Sequence, residues 1–123
     1  MTYLLVHEGF GAVKVGVTAS GSSRLKVFRR HGWQAVSIER FASGFQAMSV
    51  EREILDWWRN DLNLPAYVSP EDMPVGGSRE TAELESMPVS IAVERLKNAA
   101  ARMRDLSSEA RVTEDLVESS VRL

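Results

Sequence analysis

Residues 3–18, YLLVHEGFGAVKVGVT, decide how this chain begins to fold. Tyr3 to His7 and Val13 to Thr18 are rich in β-formers, and the EGFG between them supplies two turn glycines, so the segment predicts a β-hairpin. Glycine weakens a strand unless a bulge or a close approach requires it, so Gly16 marks a point where something comes near the backbone. Lys14 and Gly16 share a face at the two-residue period, and Tyr3 falls roughly opposite when the hairpin closes. A lysine, a gap and a phenol therefore meet on one side of two strands.

Outward from the hairpin, ASGSS (19–23) reads as a loop that offers Ser22 or Ser23 as N-cap to RLKVFRRH (24–31), a short basic helix closed by Gly32. WQAVSIERF (33–41) brings Val36 and Ile38 to strand spacing and predicts a third strand. The best helix runs from Gln46 to Leu62, where Ala47, Val50, Ile54, Leu55, Trp57, Trp58 and Leu62 recur on one side, and Pro65 ends it. Residues 65–80, with three prolines and Gly76-Gly77, read as a loop or irregular flap. Beyond Pro88, Ala92, Leu96, Ala99, Met103 and Leu106 form a short a/d seam, and TEDLVESSVRL (113–123) adds a last helical turn or frays. The order predicts a small α+β domain, a three-stranded antiparallel sheet flanked by helices. Residues 83–123 are a C-terminal helical extension that packs on the domain or mediates a homodimer.

With 123 residues, 44% hydrophobic and 26% charged, the chain fits one ordinary globular domain rather than a disordered tail. The absence of cysteine excludes disulfides and thiolate metal sites and is compatible with a cytoplasmic setting. The opening apolar run is short and meets His7 and Glu8, which predicts neither a signal peptide nor a membrane span. Lys14, Arg24, Lys26, Arg29, Arg30 and Arg40 against Glu8 and Glu39 give residues 1–40 a net charge of +4, leaving −6 for the remainder of a chain whose total is −2. Such a basic head can mark a polyanion-facing side.

Projected at about 100° per residue from Ala47, Glu51 falls near 40°, inside the apolar arc of its helix. A carboxylate there needs a cation, a metal ion or water, because burying it unpaired costs several kcal/mol. A structural pairing with a nearby arginine serves as well as a functional one. Arg24 begins the basic helix, where a guanidinium and exposed N–H groups suit a phosphate, and His31 lies two turns on along roughly the same face. A solvated basic face explains the same run. In the flap, Glu80 is either a second carboxylate of the site or part of an acidic surface loop with Glu71 and Asp72.

In this order and spacing the residues resemble the GIY-YIG nuclease superfamily, over about residues 1–82. MTY with Tyr3 stands for the first motif, and KVG (Lys14, Val15, Gly16) for the second, ten residues on. Arg24 follows Gly16 by eight residues, His31 sits where members often carry a histidine, Glu51 matches the metal-binding Glu and Asn63 an Asn frequent in these nucleases. HGWQAV, VEREILDWWRNDLNLP and MPVGGSRET look like a branch of small actinobacterial or phage proteins. Met1-Thr2 replaces the Gly-Ile pair, and Lys14 replaces the second tyrosine. The resemblance implies a DNA endonuclease in which Glu51 holds one Mg2+ or Mn2+. Tyr3, Lys14, Arg24, His31 and Glu51 would be catalytic, and Gly16, Arg29, Arg30 and Asn63 would contact the DNA. A catalytically silent module binding nucleic acid or a protein is the alternative.

Overall fold

Tyr3 pairs with Gly16, Leu5 with Lys14 and His7 with Ala12, joining β1 (Thr2–His7) and β2 (Ala12–Val17) as the antiparallel hairpin expected. Its turn closes with Gly11 at a φ of +62° and a bond from the Gly11 N–H to the Glu8 carbonyl. The computed structural model describes residues 1–19 and 22–121, with side chains given through residue 106. Ser20 and Gly21 of the predicted loop lie outside the described residues. After them come α1 (Arg24–Arg30), β3 (Gln34–Glu39), α2 (Gly44–Asp56), β4 (Thr81–Glu83) and α3 (Val89–Val121).

The α+β class stands, but the sheet has four strands in the order β3-β1-β2-β4, all antiparallel, instead of three. The missed strand is the tripeptide TAE, too short for an alternation to register. It pairs with Ala12, Val13 and Lys14, and among the described residues no strand lies beside the second half of β2 on that edge. The boundary drawn at residue 82 falls inside this strand.

The central strands bury residues on both faces. Tyr3, Leu5 and Ala12 pack with Phe28 and Trp33 of the α1 region and with Val68 and Met73 of the flap. Leu4, Val13 and Val15 pack on the other face with Val50, Ile54 and Trp58 of the long helix and with Ala92, Leu96 and Ala99 of α3. Most of the a/d seam is thus spent on the domain's own core, while Leu106 is 61% exposed. Arg102 grips Glu53 through two bonds of 2.9 and 2.8 Å, and Arg104 reaches Glu39 at 2.8 Å, which adds little energy but orients α3. Among the described residues no helix is long and apolar enough to cross a membrane.

α2 starts where Ser43 accepts the Gln46 N–H and the Gln46 side chain accepts the Ala42 N–H, a reciprocal cap. The Thr2 hydroxyl donates to the Ala47 carbonyl at 2.8 Å in the buried interior, pinning the helix to β1 one turn before Glu51. The predicted single helix to Leu62 is corrected. Residues Trp57–Asp61 form a π-helical turn, closed by the Leu62 N–H on the Trp57 carbonyl. The wider turn carries an extra residue, so Leu62 leaves the apolar stripe and is exposed.

Candidate active site

Tyr3 is fully buried opposite Gly16, at the end of the hairpin away from its turn. A Cβ on Gly16 would stand 2.5 Å from both Cζ and Oη of Tyr3. The close approach announced by this glycine is therefore that of the tyrosine ring, which fills the gap beside Lys14 that the resemblance assigns to a DNA contact.

Lys14 is also fully buried. Its ammonium donates to the Val15 carbonyl at 3.1 Å and to Glu80 Oε2 at 2.7 Å, and lies 5.4 Å from the Tyr3 ring centre and 5.2 Å from that of Phe28. Glu80 arrives on a short 3-10 turn, Ser78–Glu80, preceded by Gly77 in the left-handed region at φ +88°. A Cβ on Gly77 would meet Lys14 Cε at 2.7 Å, so only glycine lets the flap pass this close. Glu80 belongs to the site and not to an acidic surface loop. The flap is stitched in place: Arg59 donates to the carbonyls of Leu64, Arg79 and Thr81, and the buried Thr81 hydroxyl accepts the Tyr67 and Val68 N–H groups while donating to Ser78.

Arg24, the first residue of α1, completes the cationic side, its guanidinium 5.8 Å from the Phe28 ring centre. Its backbone N–H is capped by Ser22 Oγ at 3.2 Å. The Tyr3 hydroxyl and Arg24 Nε are both buried, and neither makes a well-formed hydrogen bond to a described residue, although the Arg24 guanidinium reaches the phenol closely enough to pull against its raised pKa. Glu51 is half-buried on α2 and, among the described residues, forms no direct ion pair, which removes the structural pairing with an arginine.

These groups feel one another. Burial above all, then the carboxylates of Glu80 and Glu51, push the Tyr3 phenol up to about 12, against the pull of Arg24. Burial and the Glu80 charge raise Glu51, opposed by Lys14 and Arg24. Lys14 is lowered by burial and partly restored by Glu80. Five residues from β1, β2, α1, α2 and the flap thus share one site that holds a phenol, two cations and two carboxylates.

No family model, curated protein or solved structure matches this chain.

Burial outweighs the pull of Arg24, and Tyr3 stays neutral at physiological pH. Because the folded value lies above the ordinary 10, the folded state binds this proton more tightly. The resulting stability is complete below pH 10 and is lost as pH rises through about 12. Denaturant midpoints measured from pH 8 to 12 are expected to hold level and then fall, and Tyr3→Phe is expected to flatten that fall. An equal alkaline fall in Tyr3→Phe would refute it.

Other predicted site residues lie elsewhere. His31 is exposed at the C-cap of α1, its Nδ1 bonded with the Val27 carbonyl at 2.9 Å, at the opposite end of the seven-residue helix from Arg24. Arg29 and Arg30 are exposed in the last turn of α1. Asn63 is exposed with φ +55°, a left-handed residue that ends the π-helical turn.

Proposed function

We propose that this protein is a GIY-YIG-type endonuclease that hydrolyses DNA phosphodiester bonds with Mg2+ or Mn2+. The observation that carries the reading is the burial of the Tyr3 hydroxyl and Arg24 Nε, neither in a well-formed hydrogen bond to a described residue although the Arg24 guanidinium reaches the phenol, with the charge of Glu51, which forms no ion pair among the described residues, acting on Tyr3 and Lys14. Buried donors left unsatisfied cost about 1–3 kcal/mol each, and a phosphate oxygen would satisfy both.

Arg24 binds the scissile phosphate and stabilises its charge as the reaction proceeds. Tyr3, a neutral phenol, orients the attacking water by hydrogen bonding. Arg29 and Arg30, with His31, hold the flanking backbone independently of sequence and in a salt-sensitive way. Among the described residues no group of three or more His, Asp or Glu gathers, so an ion here rests on Glu51 and water, the sparse protein ligation that Mg2+ accepts. The raised pKa of Glu51, from its burial first and then from the Glu80 charge, fits a carboxylate that gains from a bound cation. When bound, the ion supplies charge stabilisation at the leaving 3′ oxygen.

The test is cleavage of supercoiled plasmid and of branched DNA with Mg2+ or Mn2+. Wild type is expected to cut, and Glu51→Ala and Arg24→Ala to lose about 100-fold or more in rate. No cleavage by wild type, or undiminished cleavage by Glu51→Ala, rejects the nuclease. A second reading, a catalytically silent nucleic-acid-binding or protein-interaction module, is favoured by the burial of Lys14, which stands where the family has its second tyrosine. In the same experiment it gives a DNA mobility shift without products.

A further inference from the structure

The Lys14 ammonium has two protein acceptors, Val15 O and Glu80 Oε2, and no exposed surface. Every element around it narrows the space left for a substrate oxygen: Tyr3 from β1, Phe28 and Arg24 from α1, Glu51 from α2, and Gly77 with Glu80 from the flap. The flap carboxylate is itself held by a built frame. The Glu80 N–H closes a turn onto the Gly77 carbonyl at 3.0 Å, and the Arg59 and Thr81 bonds tie that turn to the chain on either side.

We infer that Glu80 is a positioning residue, resting on the nuclease reading above: it anchors the Lys14 ammonium against the rings of Tyr3 and Phe28, and so withdraws Lys14 from the phosphate. Lys14 then works as a buried strut. Its charge meets two ring faces, contacts that steady an aromatic side chain in a desolvated place, and the Tyr3 ring so held lies across Gly16. Phosphate recognition is left to Arg24, whose Nε has no protein acceptor among the described residues. A carboxylate inside an anion-binding site, which would otherwise weaken binding, has a function here because it neutralises a cation that does not touch the substrate.

Two measurements test this without requiring turnover. The first is 15N NMR of the lysine ammonium groups of Lys14, Lys26 and Lys97. The Lys14 signal is expected to exchange slowly with water in wild type, to be lost to fast exchange in Glu80→Ala, and to return in part in Glu80→Asp. The second is fluorescence anisotropy with a duplex oligonucleotide in EDTA. Glu80→Ala and Lys14→Met are expected to bind no more weakly than wild type, and Arg24→Ala about tenfold more weakly. Where wild type cleaves DNA, Glu80→Ala is expected to lower kcat at least tenfold at constant KM, with partial recovery in Glu80→Asp. Slow exchange that survives in Glu80→Ala, or binding lost as severely in Lys14→Met as in Arg24→Ala, overturns the inference. Should Lys14→Met fail to fold by circular dichroism, the Glu80 variants and the exchange measurement decide. An inactive wild type rejects the nuclease reading alone, because the exchange result stands apart from it.

Discussion

Gly16→Ala is expected to destabilise the protein by about 1–3 kcal/mol and, on the proposed nuclease function, to lower DNA cleavage by more than about 100-fold. The new methyl would lie 2.5 Å from Tyr3 Cζ and Oη, where no real Cβ contact is found, and the ring has nowhere to retreat. Phe28 packs against it on the helix side, and the Lys14 ammonium stands over its face. Either β2 moves away, breaking register with β1, or the phenol swings out of the site and leaves Arg24 without it. Gly44→Ala is the control, since a Cβ there meets nothing within 4 Å and the position is helical. Denaturant titration and plasmid cleavage of both variants check the expectation. A Gly16→Ala protein as stable and as active as Gly44→Ala would mean that Tyr3 does not lie over Gly16.

Leu96→Asp is expected to unfold the domain, with a loss above about 4 kcal/mol. Leu96 is fully buried in the same cluster as Leu4, Val15, Ile54 and Trp58, and a carboxylate placed there has no water and no partner. Loss of the folded far-ultraviolet spectrum, or a cooperative transition shifted below room temperature, is the expected reading. A Leu96→Asp chain that melts with wild type would show that α3 does not pack on this sheet. The variant therefore cannot report on a homodimer through the C-terminal helix. Leu106→Asp can, because that side chain is exposed and the change is expected to alter stability by no more than about 0.5 kcal/mol. Light scattering on Leu106→Asp beside wild type then separates a dimer seam from a packing face.

Much of this was readable in advance where the signal is local. The hairpin follows from two runs of β-formers around turn glycines. The burial of Ala47, Val50, Ile54 and Trp58 follows from a 3.6-residue period, which also turned Glu51 toward the interior before any contact was known. Tyr3, Lys14 and Gly16 could be placed on one face because antiparallel pairing at a two-residue period allows little else. These are properties of neighbours in sequence, governed by backbone geometry.

What the chain order could not show depends on contacts between distant residues. Lys14 and Glu80 are 66 positions apart, and nothing in KVG or in GGSRE distinguishes a buried ion pair from two surface charges. β4 exists because Ala82 completes a core assembled from β2, α2 and α3, not because three residues have a strand period. The π-helical turn that exposes Leu62 costs one residue of phase and leaves no mark in composition. Sequence by itself determined how the hairpin and the first three turns of the long helix face the core, and that a carboxylate, a lysine, an arginine and a phenol were candidates to meet. Only the tertiary structure decided that Gly16 makes room for the phenol and not for a ligand, and that Lys14 is claimed by the flap, because filling of space and neutralisation of a buried charge are settled by whatever the fold brings within a few ångströms.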